Sequence, residues 1–288
     1  MKKFFSRVLK FLGACMILFM LSCLVWCATV IWNAFHFDYT YIPTLNYSDG
    51  QKTISQEFGW NYDGNYYRWT LEIPETLIEY DREMIKLCDE FRSSNENDRQ
   101  AILASADDNN KKLLSSAFSE NYEITPWVAD PLNYEYIGKL AERLAVQAEK
   151  DQYDYFHTAE FVLKFAQSTP FEVRELQLPA YTLFNDGDCD CLSVLYASIL
   201  KKMGYDIAFL QYSSEKVNHM AIGIAFTDQQ LPAKWKTFYE MKYYIHDGIK
   251  YYYAEISSDN LIGELTFSEN EAELMSQEPK IIPIRIEE

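Results

Sequence analysis

Cys189, His219 and Glu255 are a nucleophile, a base and an acid in chain order, each in a setting that suits its task. Cys189 follows Phe184-Asn185-Asp186-Gly187-Asp188, and that crowding of Asn, Asp and Gly is loop chemistry. Apolar residues then recur at Leu192, Leu195, Tyr196, Ile199, Leu200 and Met203, which is helical spacing. Lys201 and Lys202 suit the last turn, and Gly204 a left-handed cap. The spacing predicts Cys189 at or just before a helix N-terminus, where unpaired N–H groups and the positive dipole end favour a thiolate. His219 falls in the weakly alternating run 218–226 and Glu255 in the run 251–256, both read as strands. A carboxylate beside a histidine fixes its tautomer and stabilises the imidazolium, so the three form a Cys-His-acid constellation. The competing reading of Cys189 is a small buried hydrophobe, as most lone cysteines are. His246 and Asp247 offer a rival pair, although Asp247-Gly248 is better explained as a hairpin turn.

The wording of these stretches resembles the transglutaminase-like, papain-related cysteine peptidase superfamily. Many of its prokaryotic members carry the nucleophile in a Gly-Asp-Cys-Asp or Gly-Asp-Cys-Glu box, opening a helix that ends Lys-x-x-Gly-Tyr-Asp. This chain has Gly187-Asp188-Cys189-Asp190 and then Lys201-Lys202-Met203-Gly204-Tyr205-Asp206. His219-Met220-Ala221-Ile222-Gly223-Ile224 resembles the family's histidine strand, and Tyr252-Tyr253-Ala254-Glu255 its acid strand. The resemblance implies an α+β fold with a transglutaminase-like or papain-like core, N-terminal helices, and the Cys helix packed on an antiparallel sheet. It implies Cys189, His219 and Glu255 as catalytic residues, with no cofactor and no metal. Gln167 matches a glutamine that ends the corresponding helix and is an oxyanion candidate, as is the backbone N–H of Asp190; a helix-end amide that caps a loop is the alternative for Gln167. The implied activity is a cysteine hydrolase, a peptidase or amidase acting on a protein or peptide substrate. A silent binding or scaffold module and protein acyl transfer stay open. Two departures bear on this. Cys191 stands where relatives carry Asp, Glu or Thr, and the third member is Glu rather than the Asp of the transglutaminases proper.

The elements that would position these residues are readable from their periodicities. Phe58, Trp60, Tyr62 and Tyr67, Trp69, Leu71, Ile73 alternate on either side of Asp63-Gly64, which predicts a β-hairpin ended by Pro74. Its aromatic face reads as core packing, with a ligand-binding face as the alternative. Residues 78–118 read as two or three amphipathic surface helices broken near 93–97 and 107–110, with Cys88 as a packed thiol. Asp130-Pro131 reads as an N-cap and first helical residue, followed by a stripe of Ile137, Leu140, Ala141, Leu144 and Ala148. A second helix is expected from about Asp154 to Gln167, with His157 structural. Strands are expected over 205–212, 217–226, 243–246 and 250–256, and the tail around Pro283 adds an edge strand or frays. Helices before and strands after give an α+β layer.

The N-terminus carries a different signal. Residues 1–10 hold Lys2, Lys3, Arg7 and Lys10 and form a basic tail; 11–35 contain no charge. As a helix, residues 11–32 would span about 33 Å, enough for a bilayer core of roughly 30 Å. The expectation is a single-pass signal anchor over 11–35 with the N-terminus cytoplasmic and the C-terminal domain extracytoplasmic. A cleaved signal peptide or a lipoprotein at Ser22-Cys23 is disfavoured, because the apolar run is long and continues past both. Residues 36–52 then read as a linker, 53–125 as the hairpin and helical part of the ectodomain, and 126–288 as the catalytic core. The chain of 288 residues has net charge −17; without the four basic residues of its first 35, 22 basic residues face 43 acidic ones. Such a surface repels nucleic acid and anionic lipid, which excludes both as partners of the ectodomain. Cys15, Cys23 and Cys27 lie in the apolar segment, leaving Cys88, Cys189 and Cys191, an odd set that makes no disulfide framework. The four histidines have no ligand-spaced pair, so a metal site is not expected.

Overall fold

Alternation about Asp63-Gly64 does produce a hairpin. β1 (Thr53–Tyr62) and β2 (Asn65–Pro74) pair antiparallel, with Tyr62 opposite Asn65. Asp63 and Gly64 take φ of 48° and 77°, the two positive values of a type I′ turn, whose twist matches that of the strands. The computed structural model describes residues 52–119, 121–214, 218–232, 241–264 and 277–286. The residues 11–35, on which the membrane anchor was expected, lie outside them, as does most of the linker 36–52. Among the described residues, no helix is long and apolar enough to cross a membrane.

Three helices follow the hairpin: α1 (Glu75–Ser93), α2 (Glu96–Ser105) and α3 (Asp108–Ala117). Asn95 and Asp107 cap the second and third through side-chain acceptors, which explains the breaks expected there. α1 and α3 bury one face each, whereas α2 buries no residue; Ile102 and Leu103 remain only partly covered. After the one-turn α4 (Thr125–Val128), α5 (Pro131–Lys150) starts at the expected Asp130 cap, whose side chain accepts from the Asn133 N–H at 3.0 Å. Its predicted stripe, Ile137, Leu140, Ala141, Leu144 and Ala148, is buried throughout.

α6 (Tyr155–Gln167) is capped by Asp154, which also holds the His157 ring at 2.7 Å, a structural place for that histidine. The aromatic face of the hairpin covers this helix. Phe58 and Trp60 meet Phe165 at ring-centroid distances of 5.3 and 5.1 Å, and Tyr67 meets Phe161 at 4.9 Å. Edge and tilted contacts of this kind are packing geometry, so the aromatic stripe belongs to the core. The short α7 (Pro179–Phe184) leads to α8 (Cys189–Lys202). α8 ends as its sequence requires. The Tyr205 N–H bonds the Leu200 carbonyl and the Gly204 N–H that of Lys201, with Gly204 at φ 82°, a Schellman closure.

The sheet comprises β3 (Ile207–Ser213), β4 (Asn218–Ala225), β5 (Tyr243–His246), β6 (Ile249–Ala254) and β7 (Lys280–Pro283). Its order is β5-β6-β4-β3-β7, antiparallel at every junction. The tail around Pro283 is thus an edge strand. α8 packs on β4 and β3, with α5, α6 and α7 around it. The molecule is a mixed α+β structure, with helices leading to an antiparallel sheet. β6 ends at Ala254, two residues short of the expected acid strand, so Glu255 sits on the turn out of the sheet.

Candidate active site

The tight turn before α8 explains why the sequence there is Gly-Asp-Cys. A Cβ on Gly187 would lie 2.6 Å from Cys191 Cβ and 3.1 Å from Thr182 Cγ2, so only glycine fits. The Asp188 carboxylate caps the helix, accepting from the N–H groups of Asp190 at 3.1 Å and Cys191 at 3.2 Å. Cys189 is the first residue of the helix and is partly exposed. Cys191 faces inward, buried, with its thiol 3.3 Å from the Glu175 carbonyl.

Across from Cys189 lies β4. The Met220 N–H, on the residue that follows His219, is near enough to favour the Cys189 thiolate. The Ser193 hydroxyl, one turn on, donates to the Met220 carbonyl at 3.4 Å and ties helix to strand. His219 Nε2 lies 2.9 Å from Glu255 Oε2, and both residues are largely buried. Glu255 also accepts from the Tyr253 hydroxyl on the same oxygen, and from the Ser257 N–H and hydroxyl at 3.0 and 2.6 Å on the other. Burial pushes this carboxyl up, but the hydrogen bond and charge of His219, with Ser257 and Tyr253, outweigh it and hold Glu255 at about 2. Glu255 is therefore a fixed anion bonded to the imidazole.

The thiol is in the opposite condition. Burial, the charge of Asp190 and that of Asp188 push Cys189 well above the usual thiol range, and the Met220 N–H offsets only part of this. The Asp190 carboxylate lies 3.5 Å from the sulfur and is itself held by the Tyr122 hydroxyl. The helix start does not by itself give a resting thiolate: two acids beside it oppose the dipole.

Both oxyanion candidates are otherwise engaged. The Asp190 N–H is the one bonded to Asp188. The Gln167 amide donates to the Glu255 carbonyl at 2.8 Å and the Asn260 carbonyl at 3.0 Å, using both of its hydrogens. Gln167 fixes the turn that carries the acid, which is the loop-capping alternative. The rival pair is remote from this arrangement: Asp247, at φ 48°, is the β5–β6 turn residue, and its carboxylate lies 3.6 Å from His246 on the surface.

Three contributors have no role assigned from sequence. The period of two puts Tyr253 on the face of Glu255 without giving it a role. Ser257 is two residues past the acid, where a serine commonly bonds its neighbour's carboxylate. Tyr122 comes from a loop residue at φ 42° with no sequence signal. Among the described residues no three His, Cys, Asp or Glu side chains converge as metal ligands. No family model matches the chain, and neither a known curated protein nor a solved structure matches it.

Proposed function

We propose that the protein is a cysteine hydrolase, a peptidase or amidase of transglutaminase-like type, with Cys189, His219 and Glu255 as its catalytic residues. The observation that supports this is His219 Nε2 on a fixed Glu255 carboxylate at 2.9 Å, on a strand whose next residue, Met220, is tied to the Cys189 helix through Ser193. With Nε2 held by Glu255, Nδ1 is the ring nitrogen that serves the thiol. His219 takes the thiol proton as the sulfur attacks the substrate carbonyl. The oxyanion forms beside the first N–H of α8, that of Cys189, since an N-terminal amide makes no bond inside its helix. Collapse of the tetrahedral adduct breaks the C–N bond, and His219 returns the proton to the departing amine. Water then attacks the thioester, giving its proton to His219, and the free acid leaves as the thiol is restored. Burial and the adjacent acids favour the thiol form of Cys189, which suits His219 as a general base rather than as half of a standing ion pair. A lysine amine in place of water would make the same acyl-enzyme an acyl-transfer intermediate. The apolar segment 11–35 with its basic flank supports a single anchor that would hold the domain outside the cytoplasm.

The direct test is labelling of the whole protein with iodoacetamide at pH 7. Cys189, which is partly exposed, is expected to react at least tenfold faster than the buried Cys88, and His219→Ala is expected to remove the advantage. Equal, slow labelling of the two would overturn the hydrolase. A second reading, a binding module without turnover, is favoured by Asp190 against the sulfur. It predicts that Cys189→Ala retains partner capture and that no peptide is cleaved by the unaltered chain.

A further inference from the structure

One residue beside the nucleophile makes contacts that the hydrolytic cycle does not use. Asp190 follows Cys189 at the start of α8, and its two carboxylate oxygens serve different partners. Oδ1 lies 3.5 Å from the Cys189 sulfur, and Oδ2 accepts the Tyr122 hydroxyl. An ionised carboxylate has no proton to give, so in this pair the thiol is the donor. The bond and the charge both keep the proton on sulfur. The loop before α4 brings Tyr122 to this place. It stands at φ 42°, a left-handed conformation rare for a bulky residue. Lys280 Nζ on β7 donates to the neighbouring Asn121 carbonyl at 2.7 Å and ties the loop to the sheet edge. Conformations of this kind persist where the surroundings over-determine them, and they cluster at working parts of proteins.

The same carboxyl works in reverse once it carries a proton. Its O–H is then a donor for the sulfur, and a hydrogen bond to the thiolate favours the anion. The change takes up one proton from water. With Asp190 ionised, the site holds a thiol and a neutral imidazole. With one proton added it holds a carboxylic acid, a thiolate and an imidazolium. The carboxylate and the ring each gain a proton, and the sulfur supplies one of the two. Burial and the Asp188 charge raise the Asp190 carboxyl above its usual range. The Tyr122 hydroxyl, the Cys189 thiol and the charge of His219 on β4, itself backed by Glu255, oppose them without cancelling them. Asp190 therefore takes up its proton at a higher pH than an exposed aspartate does.

We infer that Asp190 is a positioning residue that brakes the nucleophile: ionised, it keeps Cys189 a thiol, and protonated, it donates to the sulfur and releases the thiolate beside His219. Tyr122 sets the brake by holding the carboxylate in its ionised form. The inference rests on the reading of Cys189 as the nucleophile of a hydrolase. It makes mild acid the condition that frees the anion, the reverse of a free thiol, whose anion grows as pH rises.

The test is the pH profile of iodoacetamide labelling of Cys189 in the full chain, read by mass spectrometry between about pH 5 and 8, with Cys88 as the internal reference. In the unaltered chain, labelling is expected to fall as pH rises through the titration of Asp190. Asp190→Asn keeps the shape and stands for the protonated acid, with an amide N–H for the sulfur. It is expected to label at least about tenfold faster at pH 7 and to lose that fall, since a lowered thiol pKa raises the thiolate fraction more than it weakens the anion. Tyr122→Phe removes a donor that favours the ionised carboxyl, so the fall is expected to move to higher pH. Added to Asp190→Asn it is expected to change nothing further, because no carboxyl remains to titrate. A merely structural role for either residue moves neither profile. If Asp190→Asn speeds Cys88 as well, the fold has loosened, and the shift in Tyr122→Phe decides. Unchanged rate and profile in both variants, with Cys189 still ahead of Cys88 and dependent on His219, overturn the brake and leave the hydrolase standing. A profile that climbs steadily with pH in the unaltered chain overturns it too. The expected changes, in a chain whose labelling is indifferent to His219→Ala, support the brake and defeat the hydrolase.

Discussion

Two buried carboxyls, Glu255 in the site and Asp81 on α1, stand 7% and 0% exposed, yet they are driven in opposite directions. Glu255 receives four hydrogen bonds, one from the imidazole, and lies at about 2. Asp81 receives two, from Asn133 Nδ2 at 2.8 Å and the Tyr181 N–H at 2.9 Å, and has the Asp130 charge beside it. Burial therefore dominates there, and Asp81 is pushed up to about 8. Burial alone does not decide ionisation; the supply of donors and the sign of the nearest charge do. The site has collected donors about its acid, and the helix junction has only enough to join α1 to α5 and α7.

The contrast breaks first at Glu255. Glu255→Gln keeps the shape and removes the charge, and peptide turnover is expected to fall about 10²–10⁴-fold as the imidazolium loses its partner. The sign of the pH effect follows from the depressed value. The unfolded chain binds a proton near pH 4.5 that the folded chain refuses until about 2. The stability contributed by ionised Glu255 is present above pH 4.5 and disappears as pH falls toward 2. Urea unfolding across that window is expected to show the loss in the unaltered chain and a flatter limb in Glu255→Gln.

Asp81 reverses the sign. Its folded value is raised, so the favourable neutral form is kept below about pH 4 and lost as pH climbs through 8. Asp81→Asn is expected to flatten that alkaline decline, measured as the pH dependence of the urea midpoint.

Gln167→Leu separates two roles. As an anchor of the Glu255 turn, its loss is expected to cost about 1–3 kcal/mol of stability. Were it an oxyanion donor, kcat would instead drop about 10²–10³-fold with stability unchanged. The smallest change is Tyr253→Phe. Removal of one of four donors is expected to lower kcat about tenfold with KM little altered, and to move the acid limb of unfolding toward higher pH.

Much of this was legible before any coordinates. Period-two alternation about Asp63-Gly64 and Asp247-Gly248 fixed both hairpins, because only a few residues accept positive φ at paired turn positions. Asp130, Asp154 and Asp188 announced three helix starts, since a short carboxylate before an apolar repeat has one favourable use. Shared groups were not legible. The Asp190 N–H, an oxyanion candidate by position, bonds Asp188 two residues earlier. Gln167 admitted an oxyanion role or a loop cap, and the carbonyls its amide bonds come from residues 255 and 260. The strand expected to carry Glu255 runs two residues past the observed end, because periodicity continues past the last ladder bond.

The sequence by itself determined the turns, the caps, the buried stripes and the order of nucleophile, base and acid, since each depends on neighbours within a few residues. Tertiary structure alone decided the ionisation of those groups. Burial under distant segments raises the Cys189 thiol, with Asp190 and Asp188 adding to it, and Glu255 is lowered chiefly by His219, which lies 36 residues away along the chain. Electrostatic free energy at a buried site depends on distance through space, and separation along the chain carries no record of it.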